Sequence, residues 1–125
     1  MDQPAWNAFR ATCPTRQVLA CIADKWAVLI VGALRGSPCR TGRLRRMIEG
    51  ISQKMLTQTL RNLERDGLVS RRDLGTNPPA VEYALTPLGQ SLAQIVDELR
   101  LWAEGNIEQI LDARQGYDAT ARSPA

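Results

Sequence analysis

Lys54, Thr57, Gln58, Arg61 and Arg65 are the side chains of this sequence best placed to do chemistry together. At an advance of about 100° per residue they fall on one side of a helix. Leu56, Thr59, Leu60 and Leu63 fall opposite, with Met55 at the margin. Ser52 suits the N-cap of that helix and Gly67 its left-handed stop. Lysine, threonine and glutamine, joined at the start by Ser52 and Gln53, can bond phosphates and base edges. A polar helix face is more often plain solvated surface. Here its only acids, Glu64 and Asp66, sit at the far end, which argues for a polyanion partner. Arg71 and Arg72 follow at the start of a strand.

Cys13 is the second candidate. It precedes Pro14 at the start of a predicted helix, with Arg16 one turn in. The positive end of the helix dipole and the Arg16 charge both favour thiolate, the reactive form. The alternative is an inert, partly buried cysteine. Cys21 is expected in the core. Cys39, after Pro38, is expected to be exposed and available as a resolving partner. The sequence has no histidine, no Gly-rich phosphate loop and no Cys-x-x-Cys. No catalytic pair, no metal site and no cofactor are therefore expected, and an enzyme is the weaker reading.

The elements that must position these residues can be read in order. Residues 1–12 read as a tail. A short helix opens at Pro14 and carries Val18, Leu19 and Ile22. Asp24 caps a second, from Lys25 to about Arg35, with Trp26, Leu29, Ile30, Ala33 and Leu34 at core spacing. Gly36-Ser37-Pro38 breaks it. A third, Thr41 to about Ile48, turns Leu44, Met47 and Ile48 inward and Arg43, Arg45 and Arg46 outward. After the Ser52 helix, strands at Leu68–Leu74 and Ala80–Leu85 form a hairpin, with Asn77 and Pro78-Pro79 at its tip. Thr86-Pro87 opens a last helix running to about Leu111. Its apolar residues Leu88, Leu92, Ile95, Val96, Leu99, Trp102, Ile107 and Ile110 exceed what one small domain covers, which suggests a homodimer seam. Residues 112–125 are expected to be a disordered tail.

Charge follows the same division. Between Arg35 and Arg72 ten basic side chains stand against three acidic, a net of +7, while from Leu88 onward three stand against six, a net of −3. The whole chain of 125 residues carries only +3. A basic middle suits a polyanion; a protein-interaction module would usually have lost Lys54, Arg61, Arg71 and Arg72. No stretch of about 20 apolar residues predicts a membrane span. The first residues lack the basic start of a signal peptide, so a cytoplasmic location is expected.

Helices, a helix-turn-helix pair, a two-stranded hairpin and a final helix make a mainly α fold with a small β-hairpin, the winged helix-turn-helix. Over about residues 13–111 the chain resembles the HxlR family of bacterial transcription regulators, relatives of the MarR type. The matching residues are Cys13-Pro14, Lys25-Trp26, Gly50-Ile51-Ser52-Gln53-Lys54-Met55-Leu56-Thr57-Gln58, Leu60, Leu63-Glu64-Arg65-Asp66-Gly67-Leu68-Val69, Pro78-Pro79, Val81-Glu82-Tyr83 and Leu85-Thr86-Pro87-Leu88-Gly89. The resemblance implies one domain with N- and C-terminal dimerisation helices, the latter at 87–111. It implies a homodimer on double-stranded DNA, at an inverted-repeat operator, with the Ser52 helix in the major groove and the hairpin as wing. Ser52, Gln53, Lys54, Thr57 and Gln58 then face base edges; Arg61, Arg71, Arg72, Arg40 and Arg43 face phosphates. The family often has an aromatic residue where Thr41 or Gly42 stands, and a basic one where Ala80 follows the prolines. The wing would then lean on Arg71, Arg72 and Asn77. In several members the cysteine of the Cys-Pro pair senses oxidants or electrophiles, a role the resemblance extends to Cys13. Control by a small-molecule effector, held between wing domain and dimer helices near Trp26 and Trp102, stays open beside it.

Overall fold

The computed structural model describes residues 5–121. Three short helices precede the helix that starts at Ser52: α1 (Thr15–Ile22), α2 (Lys25–Leu34) and α3 (Thr41–Met47). The Asp24 carboxylate caps α2, accepting from the backbone N–H of Trp26 and of Ala27. α4 (Gln53–Arg65) starts at Ser52, whose Oγ accepts from the Met55 N–H at 3.1 Å. Its sequence then buries Leu56, Thr59, Leu60 and Leu63 against Ile30, Leu34 and Leu44, the stripe that periodicity predicts. Each fully buried leucine contributes about 2 kcal/mol. Gly67, at φ +75°, ends the helix in the left-handed region that a side chain disfavours.

The wing follows. β2 (Val69–Asp73) and β3 (Val81–Leu85) pair antiparallel, Arg71 opposite Tyr83 and Arg72 opposite Glu82. A third strand, β1 (Cys39–Arg40), completes the sheet in the order β1-β3-β2. Sequence reading places a loop there, because two residues show no alternation. Pairing with β3 buries Cys39, only 2% exposed, which corrects the expectation of an accessible thiol. The architecture is that of a winged helix-turn-helix.

α5 (Pro87–Ala121) has 35 residues, about 52 Å of helix. Its start is locked to the end of α4. The Thr86 hydroxyl donates to the Gly67 carbonyl at 2.6 Å and accepts from the Gly89 N–H at 3.0 Å. The Thr86 N–H donates to the Leu68 carbonyl at 3.1 Å. Gly89 lies so close to that carbonyl that any Cβ would collide with it. Ala93 and Val96 then enter the core, and Asp97 pairs with Arg35 of the segment after α2 and with Arg100.

Beyond these points α5 runs past the domain it starts on. Leu99, Leu101, Trp102, Ile107, Leu111 and Tyr117 are exposed, as are Val18 and Leu19 of α1. Trp102, in the stripe expected to exceed what the domain covers, is 60% exposed. The helix also continues through the stretch expected to be disordered after Leu111; no proline interrupts it, and the glycines at 105 and 116 lower helix propensity without breaking it. Met47, expected inward, is exposed at the end of α3. At the other end the expected tail is partly ordered. Arg10 N–H donates to the Asn7 carbonyl and Cys13 N–H to that of Arg10. The outermost four residues of each expected tail lie outside the described ones.

Replacing Gly89 by alanine should cost about 3 kcal/mol by overpacking, whereas Gly105→Ala, with open space around it, should stabilise slightly. Thermal melts of the two variants check the difference in sign.

Candidate nucleic-acid interface

The outward face of α4 divides into engaged and free side chains. The Ser52 hydroxyl is occupied by its cap. Gln53 Nε2 donates to Thr57 Oγ1 at 3.1 Å, and Gln53 Oε1 lies 3.5 Å from Arg45 Nη1, at the outer limit of a hydrogen bond. This pins Gln53 and Thr57 in place. Lys54, Gln58 and Arg61 are exposed and bond no described side chain or backbone group. With Asn62 and Arg65 towards its far end, they are the uncommitted side-chain donors of the helix among the described residues.

The basic residues of the wing also separate. Arg72 pairs with Glu82 across β2 and β3 at 3.2 Å, so part of the charge that sequence reading gave to phosphates is neutralised within the wing. Arg71, one residue earlier, projects from the other face of the strand, in the row of Tyr83 and Cys39. It lines a cleft between α3 and the wing together with Arg40 and Arg43. Asn77 is exposed in the loop joining the strands. Sequence-predicted residues thus form two groups, one on α4 and one around this cleft.

Cys13 sits apart from both, in the turn that leads into α1. Its Sγ is hydrogen-bonded to the Thr15 hydroxyl at 3.1 Å and accepts from the Asn7 N–H at 3.2 Å. The Thr15 hydroxyl and backbone N–H hold the thiol below its usual pKa; the Asn7 N–H and the Arg16 charge add to this against partial desolvation. Arg16 does more than supply charge. Its guanidinium donates to the Ala8 and Phe9 carbonyls, at 2.7 and 2.9 Å, and so folds the preceding segment over the cysteine. Thr15 and Asn7 were missed in the sequence. The Cys-Pro-Thr order was the available signal for Thr15, since a hydroxyl two residues after a helix-start thiol is in reach of it. Cys21 behaves oppositely. Burial and the nearby Asp66 carboxylate push its thiol up, the less reactive direction.

Residues 21–111 match the HxlR-like helix-turn-helix family. The chain belongs to that family. Among its relatives, the HTH-type regulator YtfH of Escherichia coli strain K12, itself uncharacterised, is 44% identical over 108 residues, 86% of either chain. The structure of a candidate transcriptional regulator YtfH from Salmonella typhimurium superposes with a TM-score of 0.84 at 44% identity, over 88% of this chain and 98% of that one. The redox regulator HypR in its oxidised form gives a TM-score of 0.69 at 38% identity, over 75% of this chain and 97% of its own. This HxlR-like chain is accordingly a transcriptional regulator of the helix-turn-helix type, with the fold that the matched residues imply. Among its described residues, no single helix is long and apolar enough to cross a membrane.

Proposed function

We propose that the protein works as a homodimer that binds an inverted-repeat operator through α4 and the wing, and that its grip changes when Cys13 is oxidised or alkylated. The observation that carries the DNA reading is the free donor set of α4. Lys54 and Gln58 stand exposed in its first half, the part of such a helix that reaches base edges. Gln58 matches adenine and Lys54 guanine, each contact worth about 1–3 kcal/mol of discrimination. Arg61, Arg40, Arg43 and Arg71 are placed for phosphates, and Asn77 for the backbone beside the wing tip.

The dimer reading is supported by the apolar residues that α5 leaves exposed, Leu99, Trp102, Ile107 and Leu111 among them. A patch of that extent on a monomer marks an interface. Two-fold pairing would set the reading helices about 34 Å apart, one turn of duplex.

The sensing reading is supported by the lowered pKa of Cys13 and its position in an ordered turn that leaves it partly exposed. A thiolate adds to an activated carbon–carbon double bond, forming an S–C bond as the π bond breaks and the neighbouring carbon takes a proton from water, or attacks hydrogen peroxide, breaking its O–O bond to leave sulfenic acid and hydroxide. The likeness to HypR, a redox regulator, agrees with this. A second reading has its own observation. A pocket of about 540 Å³ lies between α1 and the far end of α4, lined by Gln17, Cys21, Asn62, Arg65 and Asp66 among others. A small polar effector held there would join the two helices.

Three outcomes test these readings. Lys54→Ala or Gln58→Ala should weaken operator binding by about 1–3 kcal/mol while barely altering affinity for random duplex; equal losses on both sink base reading. Sedimentation should show a dimer, and Leu99→Lys should shift it to a folded monomer; a native protein that sediments as a monomer refutes the seam. A mild thiol oxidant should alter operator affinity in the native protein and not in Cys13→Ser. The rate of that response should fall as pH drops through the lowered thiol pKa, because the thiolate fraction falls with it. A response that persists in Cys13→Ser assigns it to one of the other free thiols, Cys21 or Cys39, and overturns Cys13 as the sensor.

A further inference from the structure

Two apolar surfaces are left without a cover. The first is a groove of about 370 Å³ between α1 and the root of α5, lined by Val18, Ile22, Leu68, Leu88, Leu92 and Ile95 among others. α1 itself buries none of its residues, although it carries Val18, Leu19 and Ile22. The second is the stripe along α5. Leu88, Leu92, Ile95, Leu99, Trp102 and Asn106 follow one another at four and three, the spacing of a helix-pairing seam. Continued past Asn106, the same spacing falls on Gln109, Ala113, Gly116 and Thr120. Bulk is confined to the near half of the seam, small or polar residues to the far half, and Gly116 has open space around it.

This asymmetry says how a second α5 lies on the first. In the same direction, leucine meets leucine and glycine meets glycine, and the groove at the root stays open. In opposite directions about position 104, Leu88 faces Thr120, Leu92 faces Gly116 and Ile95 faces Ala113. Large side chains then enter the gaps that small ones leave, as close packing requires.

The centre of that arrangement is polar. Trp102 faces Asn106 there. Asn106 Nδ2 donates to the Trp102 carbonyl of its own helix at 2.8 Å, which orients the amide and leaves Oδ1 as a free acceptor. The Trp102 indole is 60% exposed and its N–H is a free donor among the described residues. A single asparagine in an apolar seam specifies register and partner number. Tyr117, 73% exposed, follows Gly116 and comes to lie over the groove where Leu88 and Leu92 line it.

We propose that two copies pair their α5 helices antiparallel about position 104. Each Trp102 indole N–H donates to Oδ1 of the partner's Asn106, and each Gly116–Tyr117 tip closes the partner's groove between α1 and α5. The proposal rests on the dimer reading above and adds its direction, its register and the occupant of the groove. Ala113, Gly116 and Tyr117 lie past residues 21–111, the part matched to the HxlR-like family, so the cover is supplied by this chain's own helix extension.

Sedimentation equilibrium of the full chain reads the dimer constant. Ile95 and Ala113 are both exposed, so exchanging them leaves the folded domain alone, which thermal melts check. Ile95→Ala should weaken the dimer about a hundredfold, roughly tenfold for each of the two layers it empties. Ala113→Ile should weaken it too, because two large side chains then meet. The double variant carrying both changes should return to within about threefold of the native constant, since the facing layer is rebuilt. Losses that merely add, in a protein that is natively a dimer, overturn the antiparallel register and leave the dimer reading standing. A native monomer overturns both. The groove has its own readout. At concentrations where both proteins are dimers, Tyr117→Ala should shift the methyl NMR signals of Val18 and Leu92, and it should raise the dissociation constant roughly tenfold. Unmoved methyl signals in a native dimer overturn Tyr117 as the occupant and leave the groove to a small apolar ligand.

Discussion

Where α5 begins, its backbone lies directly on the backbone leaving α4, and no side chain fits between them. Gly89 meets the Leu68 carbonyl, and Thr86 ties that place together through Gly67 and Leu68. Three functions meet at this contact. The end of the reading helix, the first strand of the wing and the root of the long helix are held by a few consecutive backbone groups. What α5 experiences along its exposed length can reach α4 through this contact, through the packing of Ala93 and Val96 behind it, and through the Arg35–Asp97 pair that ties α5 to the segment after α2. The fold thus separates a surface suited to assembly from one suited to reading, and joins them rigidly.

Charge is deployed with the same economy. A count of arginines between the second helix and the wing suggests a uniformly cationic surface. Ion pairs sort them: Arg35 staples the segment after α2 to α5, and Arg72 staples the two wing strands, while the α3 arginines and Arg71 are left open. Surface ion pairs contribute little to stability. Their larger effect here is to decide which cations remain available to an outside anion.

Much of this was legible in the sequence. Ser52, Asp24 and Thr86-Pro87 announced helix starts through local chemistry, and the Leu56–Leu63 period announced the buried face of α4, because both signals lie within a few residues of chain. The resemblance to the HxlR family rested on the same local signals in a fixed order. What escaped depends on long-range partners. β1 is too short to show a period, so the burial of Cys39 and the cleft beside α3 were invisible. Arg72 alternates correctly for a wing, but only register places Glu82 opposite it. The extension of α5 past Leu111 was missed because apolar periodicity weakens there, although a helix can continue without it.

The order of elements along the chain has a consequence for how the protein is made. Every residue of the buried core, from Ala27 to Val96, precedes the exposed apolar residues of α5 from Leu99 onward. During synthesis the chain emerges in that order, and domains fold as they emerge. The winged domain can therefore close its own interior before Leu99, Trp102 and Ile107 leave the ribosome. A stripe that would compete for the core if it came first arrives after the residues that fill the core.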